Sequence, residues 1–506
     1  MQLNNSSIAK NTVMLYIRQI IIMLIGLYTV RVVLKQLGIE DYGIYNVIGG
    51  VVGLFIFISV TMASATQRFF SYALGKKDDA LLKKTFSVNL IVYIGLALLV
   101  YILLESVGLW FVKNELVVPV ERATSAYWIY HFSALTFVAT IVSTPFIAII
   151  IAHEDMQIYA YISIVEALLK LGSVCVLSYV SFDKLELYGV LVLAVAVINS
   201  IMYIVVCNRR YAECQFKKLY WDKALLKNIL DFTGWTMFGQ ITSVARNQAI
   251  TILINQVFNP VVVAARAVAN SISGYLLTFS SNFNTGLYPP IIKSYAVGDK
   301  EGMYRLVFNG SKMTFFLMWV LSLPILLEMD TILGIWLVDV PQYTVIFTQL
   351  GIIEVLINSI STPLMTAARA PGKMKTYELT LGIFQILIFV ASWLFLKLGF
   401  GAVSIYFIAI IVNMLMFLSR LIIVNKLICL PVKSFLKDVL LPMIIIVIFS
   451  YLIAYAFKKI MPENLIYSIV TILFAMILSV IMMYYIGFNK VERIKLTDMV
   501  KSKLGR

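Results

Sequence analysis

Ser71-Tyr72-Ala73-Leu74-Gly75-Lys76-Lys77 recurs as Ser294-Tyr295-Ala296-Val297-Gly298-Asp299-Lys300, an offset of 294 − 71 = 223 residues. A second pattern repeats at nearly the same spacing. Ser143-Thr144-Pro145, followed by Ala152, Met156 and Tyr159, returns as Ser361-Thr362-Pro363, followed by Ala370, Met374 and Tyr377, an offset of 361 − 143 = 218. Two unrelated patterns at one spacing imply a duplicated unit of about 220 residues, the weak internal symmetry found in many polytopic membrane folds.

Around these repeats the chain is too apolar for a water-soluble fold. Of 506 residues 61% are hydrophobic and 13% charged, with a mean hydropathy of +0.91. The apolar residues fall in runs of about 20, enough to cross roughly 30 Å of hydrocarbon at ~1.5 Å per residue. The pattern predicts about fourteen helical spans, near 12–34, 43–66, 86–111, 126–151, 157–180, 186–207, 231–257, 262–288, 308–330, 344–368, 377–398, 402–425, 435–457 and 465–487. The fold class is therefore all-α, with two parallel six-helix lobes around a central cavity and two further helices at the C-terminal end. The expected divisions are 1–207 for the first lobe, 208–230 for a basic amphipathic linker and 231–430 for the second lobe. Two more spans follow in 431–488, and 489–506 is a basic tail.

Most of the 41 Lys and Arg residues fall in segments that this span pattern places on one side. Loops retained in the cytoplasm keep their basic residues, so both termini are expected inside. The +15 net charge is then a topology signal and an attraction to membrane lipids rather than a sign of nucleic-acid binding. Cys175, Cys207, Cys214 and Cys429 show no metal or redox spacing, and His131 and His153 are far apart. No phosphate-binding glycine loop is present, and the loops are short. The reading is of a protein that is not an enzyme and has no metal or cofactor.

Charged residues inside the spans carry the remaining chemistry, because each costs about 2.5–3.5 kcal/mol on insertion scales unless it faces protein or water. Arg18 and Arg31 fall in the first span, Lys170 in the fifth with Glu166 at i−4, Arg246 in the seventh and Arg266 in the eighth. Arg246 is the deepest, roughly 16–22 Å from either end of its helix. Gln240, Ser243, Asn247 and Thr251 recur around it every three or four residues, and Arg266, Asn270 and Ser273 repeat the theme. Such stripes make a hydrated, guanidinium-rich cavity suited to a pyrophosphate or an acidic sugar. Glu354, the acid near mid-depth of the second lobe, is expected either to pair with Arg246 or to couple transport to a proton or sodium. Pro145 and Pro363 stand at matching places where a helix bends, and Gly49 and Gly53 form a GxxxG that allows close helix approach.

The stretch after the first span carries a resemblance. Leu37-Gly38, Asp41-Tyr42-Gly43-Ile44-Tyr45 and Ala65-Thr66-Gln67-Arg68, then Gly234-Trp235, Phe238-Gly239, Ala264-Ala265-Arg266 and Pro371-Gly372-Lys373, stand in an order that resembles one exporter family. This is the polysaccharide-biosynthesis branch of the multidrug/oligosaccharidyl-lipid/polysaccharide exporter superfamily, which includes O-antigen and capsule repeat-unit flippases. The resemblance implies a multi-pass protein of the bacterial inner membrane. It would move a lipid-linked oligosaccharide from the inner to the outer leaflet by alternating access, alongside other polysaccharide-assembly proteins. The driving force, whether sodium, protons or membrane potential, stays open.

Three alternatives stand beside that reading. A cation-coupled multidrug exporter would concentrate acids in its first lobe, whereas span 1 holds arginines and no acid. A lipid II flippase would have a mid-span arginine in span 2, where Arg68 falls at the inner end. A membrane-embedded polymerase or acyltransferase would show a large outer loop or a polar catalytic cluster.

Overall fold

The structure is a computed structural model that describes residues 5–53, 55–114, 119–180, 182–215, 220–258, 260–337, 340–489 and 492–493. Most of the expected basic tail lies outside this set, as do the side chains of Arg31 and Asn46. All regular structure among the described residues is helical. In chain order the helices begin with α1 (Asn5–Gly53), α2 (Ile56–Lys76), α3 (Asp79–Leu103), α4 (Leu109–Asn114), α5 (Ala123–Ala152), α6 (Met156–Val176) and α7 (Lys184–Arg210). They continue with α8 (Lys223–Val257), α9 (Pro260–Ala296), α10 (Lys300–Leu327), α11 (Met329–Trp336), α12 (Thr344–Arg369), α13 (Lys375–Lys397) and α14 (Ser404–Ile428). Last come α15 (Val432–Phe435), α16 (Leu441–Ile460) and α17 (Leu465–Met482).

Among the described residues, ten helical segments are long and apolar enough to cross a membrane, eleven if the bent pair Val47–Gly53 and Ile56–Lys76 counts as one span. The chain is thus an all-helical, multi-pass membrane protein. The described part of α1 contributes only a shorter apolar stretch, Val13–Gly26, and α8 and α9, which carry the polar stripes, are not among the ten.

Three local features depart from expectation. The loop foreseen between the first two spans is a single residue, Gly38 (φ +81), inside the 49-residue α1. Only glycine takes that conformation without strain, so one residue turns the chain. The second span is displaced toward the C-terminus, running through a 40° bend at Gly53 and on to Lys76. The expected surface linker is not a separate helix. Of its basic residues, Arg209 and Arg210 end α7 and Lys223 and Lys227 lie at the start of α8, where Asp222 caps the Leu225 amide at 3.0 Å and no Gly or Pro interrupts the run to Leu230, while Lys217 and Lys218 lie outside the described residues.

The repeat survives in the helix starts. Asp79, Ala123, Met156 and Lys184 correspond to Lys300, Thr344, Lys375 and Ser404, at offsets of 221, 221, 219 and 220. At the repeated heptapeptide, Lys77 (φ +54) and Gly298 (φ +78) both take the left-handed conformation. The next residues, Asp78 and Asp299, accept from the Leu81 and Gly302 amides at 2.9 and 2.8 Å. Equivalent positions are therefore 221 apart, and the sequence match is two residues out of register because it aligned glycine with glycine. Packing repeats as well, with α3–α5, α5–α7 and α6–α7 recurring as α10–α12, α12–α14 and α13–α14.

Two compact units result, Met1–Gln240 with Ile292–Gly298, and Ile241–Ile291 with Asp299–Arg506. In unit 1, α5 is central, and Tyr93, Ile129, Tyr130 and Leu104 are fully buried in its core. Tyr130 Oη donates to the Leu104 carbonyl, which opens a π-helical turn, Leu104–Gly108. Arg122 ties α1 to α7 by bonding both Asp41 and Asp183. In unit 2, α10 and α12 are the most enclosed long helices. The last pair, α16 and α17, packs on α10, where Trp319 Nε1 donates to Ser450 Oγ at 2.9 Å and Lys312 pairs with Glu492 at 3.0 Å.

Close helix approach occurs at other glycines than the expected GxxxG. A Cβ on Gly49 would meet nothing within 4 Å among the described residues, and one on Gly53 only Ile56 Cδ1 at 4.0 Å. Gly189 and Gly310 are two of the tight crossings. A Cβ there would come 2.7 Å from Ile129 Cδ1 and 2.7 Å from Leu287 Cδ1 respectively. A GxxxG permits an approach without requiring one.

Candidate functional site

Within unit 2 the polar residues of α8 and α9 meet α12 and α14. Arg246 on α8 donates from Nη1 to Glu354 Oε1 on α12 at 3.2 Å, and from Nη2 to Asn247 Oδ1 at 3.0 Å. Its Nε is buried and has no hydrogen-bond partner among the described residues. The same Glu354 oxygen accepts from Asn413 Nδ2 on α14 at 3.0 Å. Asn413, 2% exposed, thus fixes the carboxylate from behind. The Arg246 and Glu354 side chains are 11% and 19% exposed, so the pair is largely but not wholly withdrawn from its surroundings.

Arg266 on α9 completes the group. It is 6% exposed, donates from Nε to Thr251 Oγ1 at 3.3 Å, and lies 5.8 Å from the Tyr406 ring centroid. It sits within Coulomb range of both Arg246 and Glu354. Tyr406 in turn packs on Phe347 at 4.8 Å. Gly351, one turn before Glu354, lets the helices come together, since a Cβ there would lie 2.8 Å from Ser273 Oγ. Arg246 is bonded to the one carboxylate, and Arg266 stands near the pair, bonded to Thr251 instead. The site carries an excess positive charge that a hydroxyl and an aromatic face offset only in part.

The structure brings Arg246, Asn247, Arg266 and Glu354 together. Asn270, on α9 with Arg266, is exposed. Gln240 lies six residues before Arg246 on the same helix, half-buried, at the last position of unit 1. Arg18 also belongs to unit 1, buried at the α1–α6 contact with its guanidinium 4.6 Å over the Tyr159 ring. The Arg31 side chain lies outside the described residues. Pro145 and Pro363 fall inside α5 and α12, which continue through them. The Pro363 ring packs near Gly310, and Ser311 Oγ donates to the Ile360 carbonyl just ahead of it at 3.0 Å.

Elsewhere in unit 1, Glu166 and Lys170 form the expected i,i+4 pair at 2.6 Å, and His131 bonds Glu105 at 2.9 Å in the π-helical turn. A cleft of about 320 Å³ beside Asp183, lined by Trp128, Phe132 and Phe182, holds none of the residues singled out from the sequence. Asp183 lies outside the spans. Its burial alone would raise the carboxyl, but the Glu186 amide, Arg122 and the Leu185 amide together hold it below its ordinary value. Among the described residues no group of His, Cys, Asp or Glu could hold a metal ion.

Sequence reasoning missed Asn413, Tyr406 and Gly351. The one signal available was a single amide in the apolar run Ile405–Met416.

An all-helical membrane protein built from two repeated units, with charged side chains buried among its helices, has counterparts among solved structures. The fold matches an outward-facing multidrug resistance MATE family transporter of the MOP superfamily with a TM-score of 0.73 at 12% identity, covering 84% of this chain and 95% of that one. It also matches a MATE transporter in its straight conformation (TM-score 0.71, 12% identity, 83% and 96% covered) and VcmN, a MATE transporter of Vibrio cholerae (0.62, 15%, 83% and 98%). These likenesses show the fold. No curated protein sequence matches significantly. Residues 8–295, more than half of the chain, match the family described as polysaccharide biosynthesis protein, and the chain belongs to that family.

Proposed function

We propose that this protein moves a lipid-linked oligosaccharide, of the undecaprenyl-pyrophosphate type, from the inner to the outer leaflet of a bacterial inner membrane for surface-polysaccharide assembly. The family supports an oligosaccharide-related cargo, and the fold supports transport by alternating access. The observation that carries the reading is the excess of guanidinium at Arg246 and Arg266 over the single carboxylate of Glu354. Arginine binds phosphate through two parallel N–H donors, and a site enclosed by protein strengthens that attraction. Glu354 neutralises Arg246 when the site is vacant, and the pyrophosphate takes its place on loading. A ligand that exchanges partners in this way binds two states differently, which is what drives a change of state.

A multidrug exporter for cations would need the opposite balance of charge at this site. Both termini in the cytoplasm, about fourteen spans in two six-helix repeats, and coupling to an ion or to membrane potential complete the proposal. The test is a strain deleted for the gene, in which lipid-linked oligosaccharide is probed with a sugar-modifying reagent that cannot cross the membrane. The reading expects the deleted strain to hold its oligosaccharide inaccessible and the restored strain to expose it. Equal exposure in both strains overturns the reading.

A further inference from the structure

The cleft of about 320 Å³ beside Asp183 lies wholly within unit 1, where the start of α7 meets the first turns of α5. Asp183 stands just ahead of the span formed by α7, so the cleft lies at the boundary between membrane and water. Its walls are aromatic. The Trp128 and Phe132 rings stack at 5.8 Å, one turn apart on α5, and Phe182, 78% exposed, adds a third ring from the segment before α7. Aromatic rings favour this depth, where one part of a side chain meets headgroups and the rest meets hydrocarbon. Beyond the cleft the exposed face of α7 stays apolar, with Val190, Val197, Ile198, Ile201 and Val205 following one another at helical spacing.

The polar end of the cleft is acidic. Asp183 and Glu186 both line it, and among the described residues no basic side chain does. Asp183 is engaged locally, its oxygens taking the Leu185 and Glu186 amides and Arg122. Glu186 accepts from Ser125 Oγ through Oε1 at 2.9 Å, which ties the carboxylate to α5 and leaves Oε2 without a hydrogen-bond partner among the described residues. The packing of these helices does not demand such residues. The pair α5–α7 recurs as α12–α14, where Gln349, Ile353, Val403 and Tyr406 take the positions of Trp128, Phe132, Asp183 and Glu186, at offsets of 221, 221, 220 and 220. The rings and the acids therefore belong to one repeat alone.

We propose that this cleft binds a membrane phospholipid with an ammonium headgroup, its ammonium against Glu186 and the Trp128 ring and its acyl chains along the exposed face of α7. A cation that lies over a tryptophan face and beside a carboxylate is attracted by both, and partial withdrawal from water strengthens each attraction. A headgroup of net negative charge would instead meet two carboxylates. A free ammonium compound would leave the apolar face of α7 uncovered. The site is separate from Arg246 and does not depend on the identity of the cargo.

The test is native mass spectrometry of the full-length protein in detergent, equilibrated with equal amounts of phosphatidylethanolamine and phosphatidylglycerol. Wild type should retain the ethanolamine lipid over the glycerol lipid by about 2- to 10-fold, the range for a cation–π contact with a partly exposed ion pair. Glu186→Gln, which keeps an acceptor for Ser125, should bring that ratio close to one. Trp128→Ala should lower it, and Trp128→Phe should keep part of it. Glu186→Lys should invert the preference, an outcome that local loss of structure would not produce. Glycerophosphoethanolamine, which carries the headgroup without acyl chains, should displace no lipid even in large excess, and displacement would overturn the assignment to a membrane lipid. A lipid ratio that neither Glu186→Gln nor Glu186→Lys changes overturns the proposal.

Discussion

Replacing Glu354 by Gln tests the exchange of partners at the arginine site. Arg246 donates to Glu354, so a pyrophosphate must displace that carboxylate before it can bind. Exposed ion pairs are worth about 0.2–1 kcal/mol and breaking buried ones costs about 3–5 kcal/mol. With side chains 11% and 19% exposed and a neutral amide still able to accept a hydrogen bond, the lost competition is about 1–2 kcal/mol. Substrate should therefore half-saturate the variant at a concentration about 5- to 30-fold lower. The maximal rate should fall, because after release Arg246 has no carboxylate to return to. Any dependence of the rate on protons or sodium that runs through Glu354 should disappear with it. The assay is initial flipping rate against concentration of purified lipid-linked oligosaccharide in vesicles, repeated over pH and sodium. Unchanged half-saturation with an unchanged maximal rate would refute the reasoning, and so would weaker binding at full rate.

Three further outcomes follow from the geometry. Asn413→Leu removes the amide that holds Glu354 from α14, so transport should fall with protein abundance unchanged, and Asn413→Gln should recover part of it; equal transport in wild type and Asn413→Leu would contradict this positioning role. Asp183 is held below its ordinary carboxyl value of 3.8 by its amide partners and Arg122, so its contribution to stability is present above that value and is lost as pH falls through the folded value. Thermal unfolding in detergent between pH 3 and 7 should show this loss in wild type and a smaller one in Asp183→Asn, and parallel curves would remove Asp183 from the account. Gly310→Val places atoms against Leu287 and the rigid Pro363 ring and should cost about 1–3 kcal/mol, read as a lower Tm, with Gly310→Ala milder; an unaltered Tm would show that the crossing has room.

Hydropathy and duplication were legible because both leave marks on the chain itself. Apolar runs follow from the thickness of the bilayer, and the two Ser-Thr-Pro segments carry the period of the repeat. Arg246 could be picked out by its depth, and Glu354 as its partner by being the acid of α12 at a similar depth. Asn413 could not, because a single amide in an apolar helix does not say which way it faces. The kink at Gly38 was hidden for a related reason, since a lone glycine bends the chain only if its neighbours pack around that bend. The Gly49/Gly53 spacing allows a close crossing without requiring one, tight crossings among the described residues include Gly75, Gly189 and Gly310, and matching Gly75 to Gly298 shifted the repeat by two residues. Each time the decisive quantity was the distance to a neighbouring helix, which local sequence does not encode.

The central claim is that Arg246 grips the anionic head of the cargo through its two-pronged guanidinium. Its most direct test is the exposure of lipid-linked oligosaccharide at the outer leaflet in cells producing Arg246→Ala or Arg246→Lys at wild-type abundance in the membrane. The account predicts no export with alanine and partial export with lysine, which keeps the charge and loses the fork. Full export by the alanine variant would contradict it.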